Sequence, residues 1–201
     1  MKLNFQPRPS LTEGQILLPQ LMGILNVTPN SFSDGGCFDT LDKVIHHAQT
    51  MQQEGADILD IGGESTHPGA LPISIQEELD RVIPVIEALR ARMDIPLSID
   101  TRHAQVMHAA ISAGAVMIND VSALRGENAL TCAAELAAKV CLMHMQKEPQ
   151  TMQQDPHYQD VVQEIFDFFV ERINAAVAAG VARDAIVIDP GFGFGKTYAH
   201  N

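Results

Sequence analysis

Apolar positions along the chain fall into two alternating patterns. Short continuous runs recur at Leu21–Asn26 ("LMGILN"), Asp57–Gly63 ("DILDIGG"), Pro96–Asp100 ("PLSID"), Ala115–Asp120 ("AVMIND"), Val140–Met145 ("VCLMHM") and Ala185–Asp189 ("AIVID"). Continuous rather than alternating runs predict strands buried on both faces, as in a parallel sheet. Between them, apolar residues return at helical spacing. Leu41, Val44, Ile45, Ala48 and Met51 form one stripe, Leu79, Val82, Ile83, Ile86 and Leu89 a second, and Val161, Ile165, Phe168, Phe169 and Ile173 a third. Ser74 and Glu77 have the spacing of a capping box at the start of the second helix. Shorter helices are expected over Gln105–Ala113 and Ala129–Ala138, and all these stripes are assigned to the core.

Six such βα repeats predict an α/β fold, either an open doubly wound sheet or a (β/α) barrel. The strand ends bear on the choice. Asn26, Asp60, Asp100, Asn119, His144 and Asp189 all lie at or near strand C-termini. Polar groups spread over several strands suit the top face of a TIM-type barrel, whereas a doubly wound sheet gathers them at one switch point. A complete eight-unit barrel takes about 250 residues. The expectation is therefore one domain, residues 1–201, of (β/α)8 TIM-barrel type but incomplete, with about six βα units.

Composition narrows the partners. The 201 residues are 46% hydrophobic and 19% charged, an ordinary soluble profile. A net charge of −12 argues against non-specific binding to nucleic acid or an anionic membrane surface. An anionic substrate would then need a metal, local basic side chains or helix N-termini. Cys37, Cys132 and Cys141 are odd in number and show no C-x-x-C spacing, which suits reduced thiols in a cytoplasmic protein. No run approaches a membrane span and the N-terminus has no apolar signal core. No H-E-x-x-H occurs among the eight histidines, which argues against a dedicated zinc site.

Three stretches carry candidate chemistry. "VIDPGFGFGKT" (Val187–Thr197) has the look of a P-loop, but Pro190 stands where G-x-x-x-x-G-K-[ST] requires its first glycine. Proline offers no N–H to a phosphate, so the cradle fails at its first position. Asp189, before the glycines, is left for another use. "NVTPNSFSDGG" (Asn26–Gly36) brings Asn26, a neutral oxygen ligand of the kind magnesium accepts beside phosphate and water. "GGESTHPGA" (Gly62–Ala70) brings Glu64, Ser65, Thr66 and His67 to one loop, where hydroxyls and backbone N–H groups suit an anion. Asp100, Asn119 and Asp189 together form an acceptor-rich set suited to a flat heterocycle with amino and ring N–H donors, such as a pterin or guanine-like ring. Charge-assisted hydrogen bonds of that kind contribute roughly 1.5–3 kcal/mol each.

From Leu21 to Asn201 the chain resembles dihydropteroate synthase, most specifically in "MGILNVTPNSFSDGG", "DIGGESTHPGA" and "DPGFGFGKT", supported by "SIDTR", "INDVSAL" and "CLMHMQ". The resemblance implies a magnesium-dependent transferase of folate biosynthesis. Such an enzyme condenses 6-hydroxymethyl-7,8-dihydropterin diphosphate with p-aminobenzoate, giving 7,8-dihydropteroate and pyrophosphate. It implies that Asp100, Asn119 and Asp189 bind the pterin, with Asp100 also stabilising positive charge on the reacting methylene. It further implies that Thr66 touches the diphosphate substrate, Asn26 ligates Mg2+, Phe194 borders the pterin pocket, and Phe32 and Pro68 enclose p-aminobenzoate.

Three departures accompany it. Asn30 replaces the usual aspartate of the first loop, and His67 replaces the usual arginine of the second. A neutral imidazole is a weaker diphosphate partner than guanidinium, so weaker anion binding is expected. The family also continues into strands seven and eight, with a lysine, an arginine and a histidine for pterin and phosphate. The expectation from this is a fragment or truncated copy with little activity; a homodimer is implied for the full-length enzyme, and the oligomeric state of this chain is left open. A methyltetrahydrofolate–corrinoid methyltransferase domain and a non-enzymatic pterin-binding remnant are the alternatives.

Overall fold

The computed structural model describes residues 19–27, 37–65 and 71–201. Of the residues singled out above, Asn30, Phe32, Thr66, His67 and Pro68 lie outside these ranges.

Six strands form one parallel sheet: β1 Met22–Asn26, β2 Ile58–Gly62, β3 Leu97–Asp100, β4 Met117–Asp120, β5 Lys139–Met143 and β6 Ile186–Asp189. Helices α1 Cys37–Gln53, α2 Ile75–Arg90, α3 Ala104–Ala113 and α4 Ala129–Leu136 connect the first five, and α5 Val161–Ala179 precedes β6. The strands stand in the order β1-β2-β3-β4-β5-β6, each beside its successor. A doubly wound sheet reverses direction partway along; this order never does, which is the connectivity of a barrel wall.

The pleat sorts the side chains. Leu59, Ile61, Leu97, Ile99, Ile118, Val140 and Leu142 join the main core beneath the helices, together with Val82, Ile86, Leu89, Val106 and Met107 from α2 and α3. The opposite, inner face carries a small apolar cluster of Ile58, Met117 and Cys141. Above it on the same face come Asp60, Asp100 and Asn119. Strands buried on both faces explain why the sequence shows continuous apolar runs instead of alternation. At the sheet margins apolar side chains are open, with Ile24 of β1 and Val187 and Ile188 of β6 exposed. On α5, Val162 and Phe166 are exposed as well.

Helix α2 starts as predicted in one respect only. Ser74 Oγ accepts from the Glu77 N–H at 3.2 Å, but the Glu77 carboxylate pairs with Arg81 rather than reaching back to the cap. The i,i+4 cation competes successfully for it. Among the described residues no helix is long and apolar enough to cross a membrane.

Candidate active site

Strand register, not loop sequence, assembles the site. Asn26 pairs with Gly62, Gly62 with Asp100, and Asp100 with Asn119, so one line of the sheet crosses four strand ends. Gly62 leaves a gap in that line. A methyl group there would come 3.5 Å from both Asn26 Oδ1 and Asp100 Oδ2, so these two oxygens converge on the same small space. The Asn26 side chain is exposed at the end of β1.

The Asp100 carboxylate makes no hydrogen bond to another described residue. Burial pushes its pKa well above the usual carboxylate range, and the negative charges of Asp60, Asp120, Glu78 and Glu64 push in the same direction. A position surrounded by so many acids disfavours another anion and favours any cation or ring N–H placed beside it. Asp60 lies one step lower on the inner face and is 4% exposed. Its Oδ2 accepts from Asn119 Nδ2 at 2.8 Å, while its Oδ1 is buried without a hydrogen-bond partner among the described residues. Burial raises its pKa; the nearby Ser98 hydroxyl and the Asn119 amide partly offset this, the hydroxyl without reaching good hydrogen-bond geometry.

Asp120 is built differently. It accepts from the Ser122 N–H and hydroxyl, both at 2.7 Å, and from the Leu124 N–H at 2.8 Å. It shapes the loop after β4 and has little capacity left for a ligand.

The β5–β6 side supplies Asp189 and Phe194. Asp189 Oδ1 accepts from the Gly191 N–H at 2.8 Å, which starts the glycine turn and leaves the carboxylate partly exposed. Phe194 packs on Val121, Met143, Met145 and Met152. The Lys196 amine is spent internally. It lies 3.0 Å from the Gly191 and Phe194 carbonyl oxygens, 3.3 Å from that of His144, and 3.0 Å from His144 Nδ1. No phosphate can reach a lysine so enclosed, which removes the P-loop resemblance of "GFGFGKT" altogether. Burial lowers the Lys196 pKa to about 8, against the pull of Asp189. His144 is lowered to about 4, by burial first and the Lys196 cation second. It is therefore a neutral imidazole accepting at Nδ1, packed edge-on against Phe168. Its place among the polar strand ends reflects this internal strut and not a ligand-facing group.

On the β2–β3 side, Arg102 and Glu64 face each other at 3.2 Å, and Glu148 lies 3.7 Å from the same guanidinium. These groups border a cavity of about 340 Å³ with Ser65, Pro72, Pro149 and Gln150. The structure thus brings Asn26, Asp100 and Asn119 into one row and sets Asp189 and Phe194 two strands further round; Thr66 lies outside the described residues. Two groups escaped the sequence: Asp60 as the partner of Asn119, and Lys196 as an internal tie. The available signal for Asp60 was an acid in the middle of the otherwise apolar run "ILDIG".

The family model described as pterin binding enzyme matches residues 22–201, which places this barrel wall, with acceptors across its strand ends, in that class. The dihydropteroate synthase of Haemophilus influenzae is 50% identical over 184 residues, covering 92% of this chain and 67% of that protein. The solved Xanthomonas albilineans dihydropteroate synthase with 4-aminobenzoic acid superposes with a TM-score of 0.84 at 55% identity, over 91% of this chain and 65% of that one. The same organism's enzyme in complex with 7,8-dihydropteroate gives 0.80 at 51% identity, over 94% and 67%. The chain belongs to the dihydropteroate synthase family. It spans about two thirds of the length of these relatives.

Proposed function

We propose that the protein joins 6-hydroxymethyl-7,8-dihydropterin diphosphate to p-aminobenzoate, releasing pyrophosphate. The observation that carries this is the acceptor row at the strand ends, with Asp100 unpaired inside a field of acids. Asp100, Asn119 and Asp189 hold the N–H-rich edges of the pterin, and Phe194 on its apolar cushion borders the ring. The family resemblance assigns Thr66 to the diphosphate and Phe32 and Pro68 to p-aminobenzoate, all three outside the described residues. The ligands named for the two Xanthomonas structures, 4-aminobenzoic acid and 7,8-dihydropteroate, are a substrate and the product of this reaction.

In the reaction the bond between the pterin methylene carbon and the diphosphate oxygen breaks, and its electron pair leaves with pyrophosphate. The arylamine nitrogen gives its lone pair to that carbon, and the ammonium so formed loses its proton to solvent. Positive charge grows on the methylene and the ring as the leaving group departs. The cluster that makes ionisation of Asp100 costly (Asp60, Asp120, Glu78 and Glu64) stabilises that charge without reorganising.

Among the described residues no group of three or more His, Cys, Asp or Glu side chains could hold a metal ion. A magnesium carried in by a diphosphate needs much less, because it keeps several waters and takes one or two protein oxygens. The Asn26 Oδ1, without a partner among the described residues and converging with Asp100 on the Gly62 gap, fits that requirement. Bound there, the ion would offset the charge of the departing diphosphate. Reduced Cys132 and Cys141 are in keeping with a cytoplasmic protein.

The test is pyrophosphate release on mixing the protein with magnesium and both substrates, compared with either substrate alone. Release that needs both is expected. A protein that binds pterin yet releases no pyrophosphate would sink the synthase reaction and leave binding only.

A further inference from the structure

We propose that Asp60 is a positioning residue that sets which way round the Asn119 amide faces the ligand, and so makes the site select an amino-substituted ring. This rests on the pterin site argued above. The geometry is specific. Asp60 sits on β2, two residues before the strand end, and is 4% exposed. Its Oδ2 holds Asn119 Nδ2 at 2.8 Å across β3, and its Oδ1 is buried with no hydrogen-bond partner among the described residues. A buried carboxylate with half its capacity unused weakens the fold, so its presence points to a use other than stability.

Asp60 Oδ2 stands as the acceptor for the Asn119 amide, and a carboxylate oxygen in that role only accepts. It can hold the NH2 end of the Asn119 amide but repels the carbonyl end. One N–H is thus committed to Asp60, and the second N–H and Oδ1 remain for a ligand, a donor beside an acceptor. That pair matches an unprotonated ring nitrogen next to an exocyclic amine, the edge a 2-amino pterin presents. In the 2-oxo analogue, lumazine, the same edge is reversed, with a ring N–H beside a carbonyl. Only a flipped amide would fit it, and the flip would bring Oδ1 against the Asp60 carboxylate. Selection against the reversed edge therefore comes from a residue that need not touch the ligand.

Fluorescence titration with pterin and with lumazine on wild type, Asp60→Asn and Asp60→Ala tests this. The asparagine side chain keeps the shape but can accept or donate, so it tolerates either amide orientation. In Asp60→Asn the preference for pterin over lumazine is expected to fall by roughly tenfold or more, mainly because lumazine tightens. In Asp60→Ala the preference should fall by a similar factor, mainly because pterin weakens, with thermal stability kept or raised in both variants. A merely structural role would weaken both ligands alike, and that result, or an unchanged preference in Asp60→Asn, overturns the proposal. Wild-type protein that fails to bind pterin, or does not prefer it, would instead sink the pterin site itself and this inference with it.

Discussion

Gly62 closes β2 and Gly191 follows the end of β6 by two residues, yet an added methyl would meet very different neighbours. At Gly62 it would find the Asn26 and Asp100 side-chain oxygens at 3.5 Å, an ordinary contact. At Gly191 it would lie 2.1 Å from the His144 carbonyl oxygen, on a backbone with φ +69°. One glycine keeps space open, and the other lets two backbones touch. The surrounding regions follow the same division. Along β1–β4, the Asp60 Oδ1 and the side chains of Asp100 and Asn26 have no hydrogen-bond partner among the described residues. At the β5–β6 corner, His144, Lys196 and the glycine turn satisfy one another. Polar atoms left unsatisfied at some cost mark where a ligand belongs, and polar atoms fully paired mark scaffold.

The largest expected effect breaks the open region alone. Asp100→Asn should lower turnover by at least about a hundredfold, roughly 3 kcal/mol of barrier, while leaving Tm unchanged or higher because one buried like charge is gone. Steady-state kinetics beside a melting curve checks both halves. Gly191→Ala should do the reverse to the corner. It should cost about 3 kcal/mol or more of stability by pushing β6 away from His144, measured by urea unfolding.

The two regions should also answer pH with opposite signs. His144 holds its proton with a pKa of about 4 in the fold, against 6.5 as its ordinary value. The unfolded chain therefore binds more protons between these values, and stability falls as pH drops through that window, by at most about 3 kcal/mol. His144→Asn should flatten that acid limb. For Asp60 and Asp100, whose pKa values are raised, the folded state binds more protons above pH 3.8, so their share of stability falls as pH rises. The smallest effect separates space from scaffold most finely. Gly62→Ala should leave stability within about 1 kcal/mol, since its contacts are ordinary, while weakening pterin binding about tenfold by filling the gap.

Much of this was legible in the sequence. Parallel strands buried on both faces leave an unambiguous trace in continuous apolar runs, and the predicted strands agree with the observed ones to within two residues at each end. The barrel rather than the doubly wound sheet was legible from the spread of polar strand ends. What the sequence concealed depends on register across strands. That Asp60 reaches Asn119 across β3 requires knowing how far β2 and β4 are staggered, which no local pattern encodes. The fate of Lys196 was hidden for a similar reason, since three backbone carbonyls leave no mark on residue identity. Glu77 shows the limit even of a local rule: a capping box and an i,i+4 pair compete for one carboxylate, and sequence does not rank them.

The cushion behind Phe194 has a consequence of its own. Val121, Met143, Met145 and Met152 form a wall that is mostly unbranched thioether, polarisable and able to change rotamer at little cost. A surface of this kind accommodates aromatic outlines of different widths, so it contributes grip without much discrimination. Inhibitor chemistry directed at that wall should give shallow structure–activity trends. Changes to the hydrogen-bonding edge proposed to face Asn119 should instead produce steep ones, because there a single reversed donor would meet an amide held by Asp60.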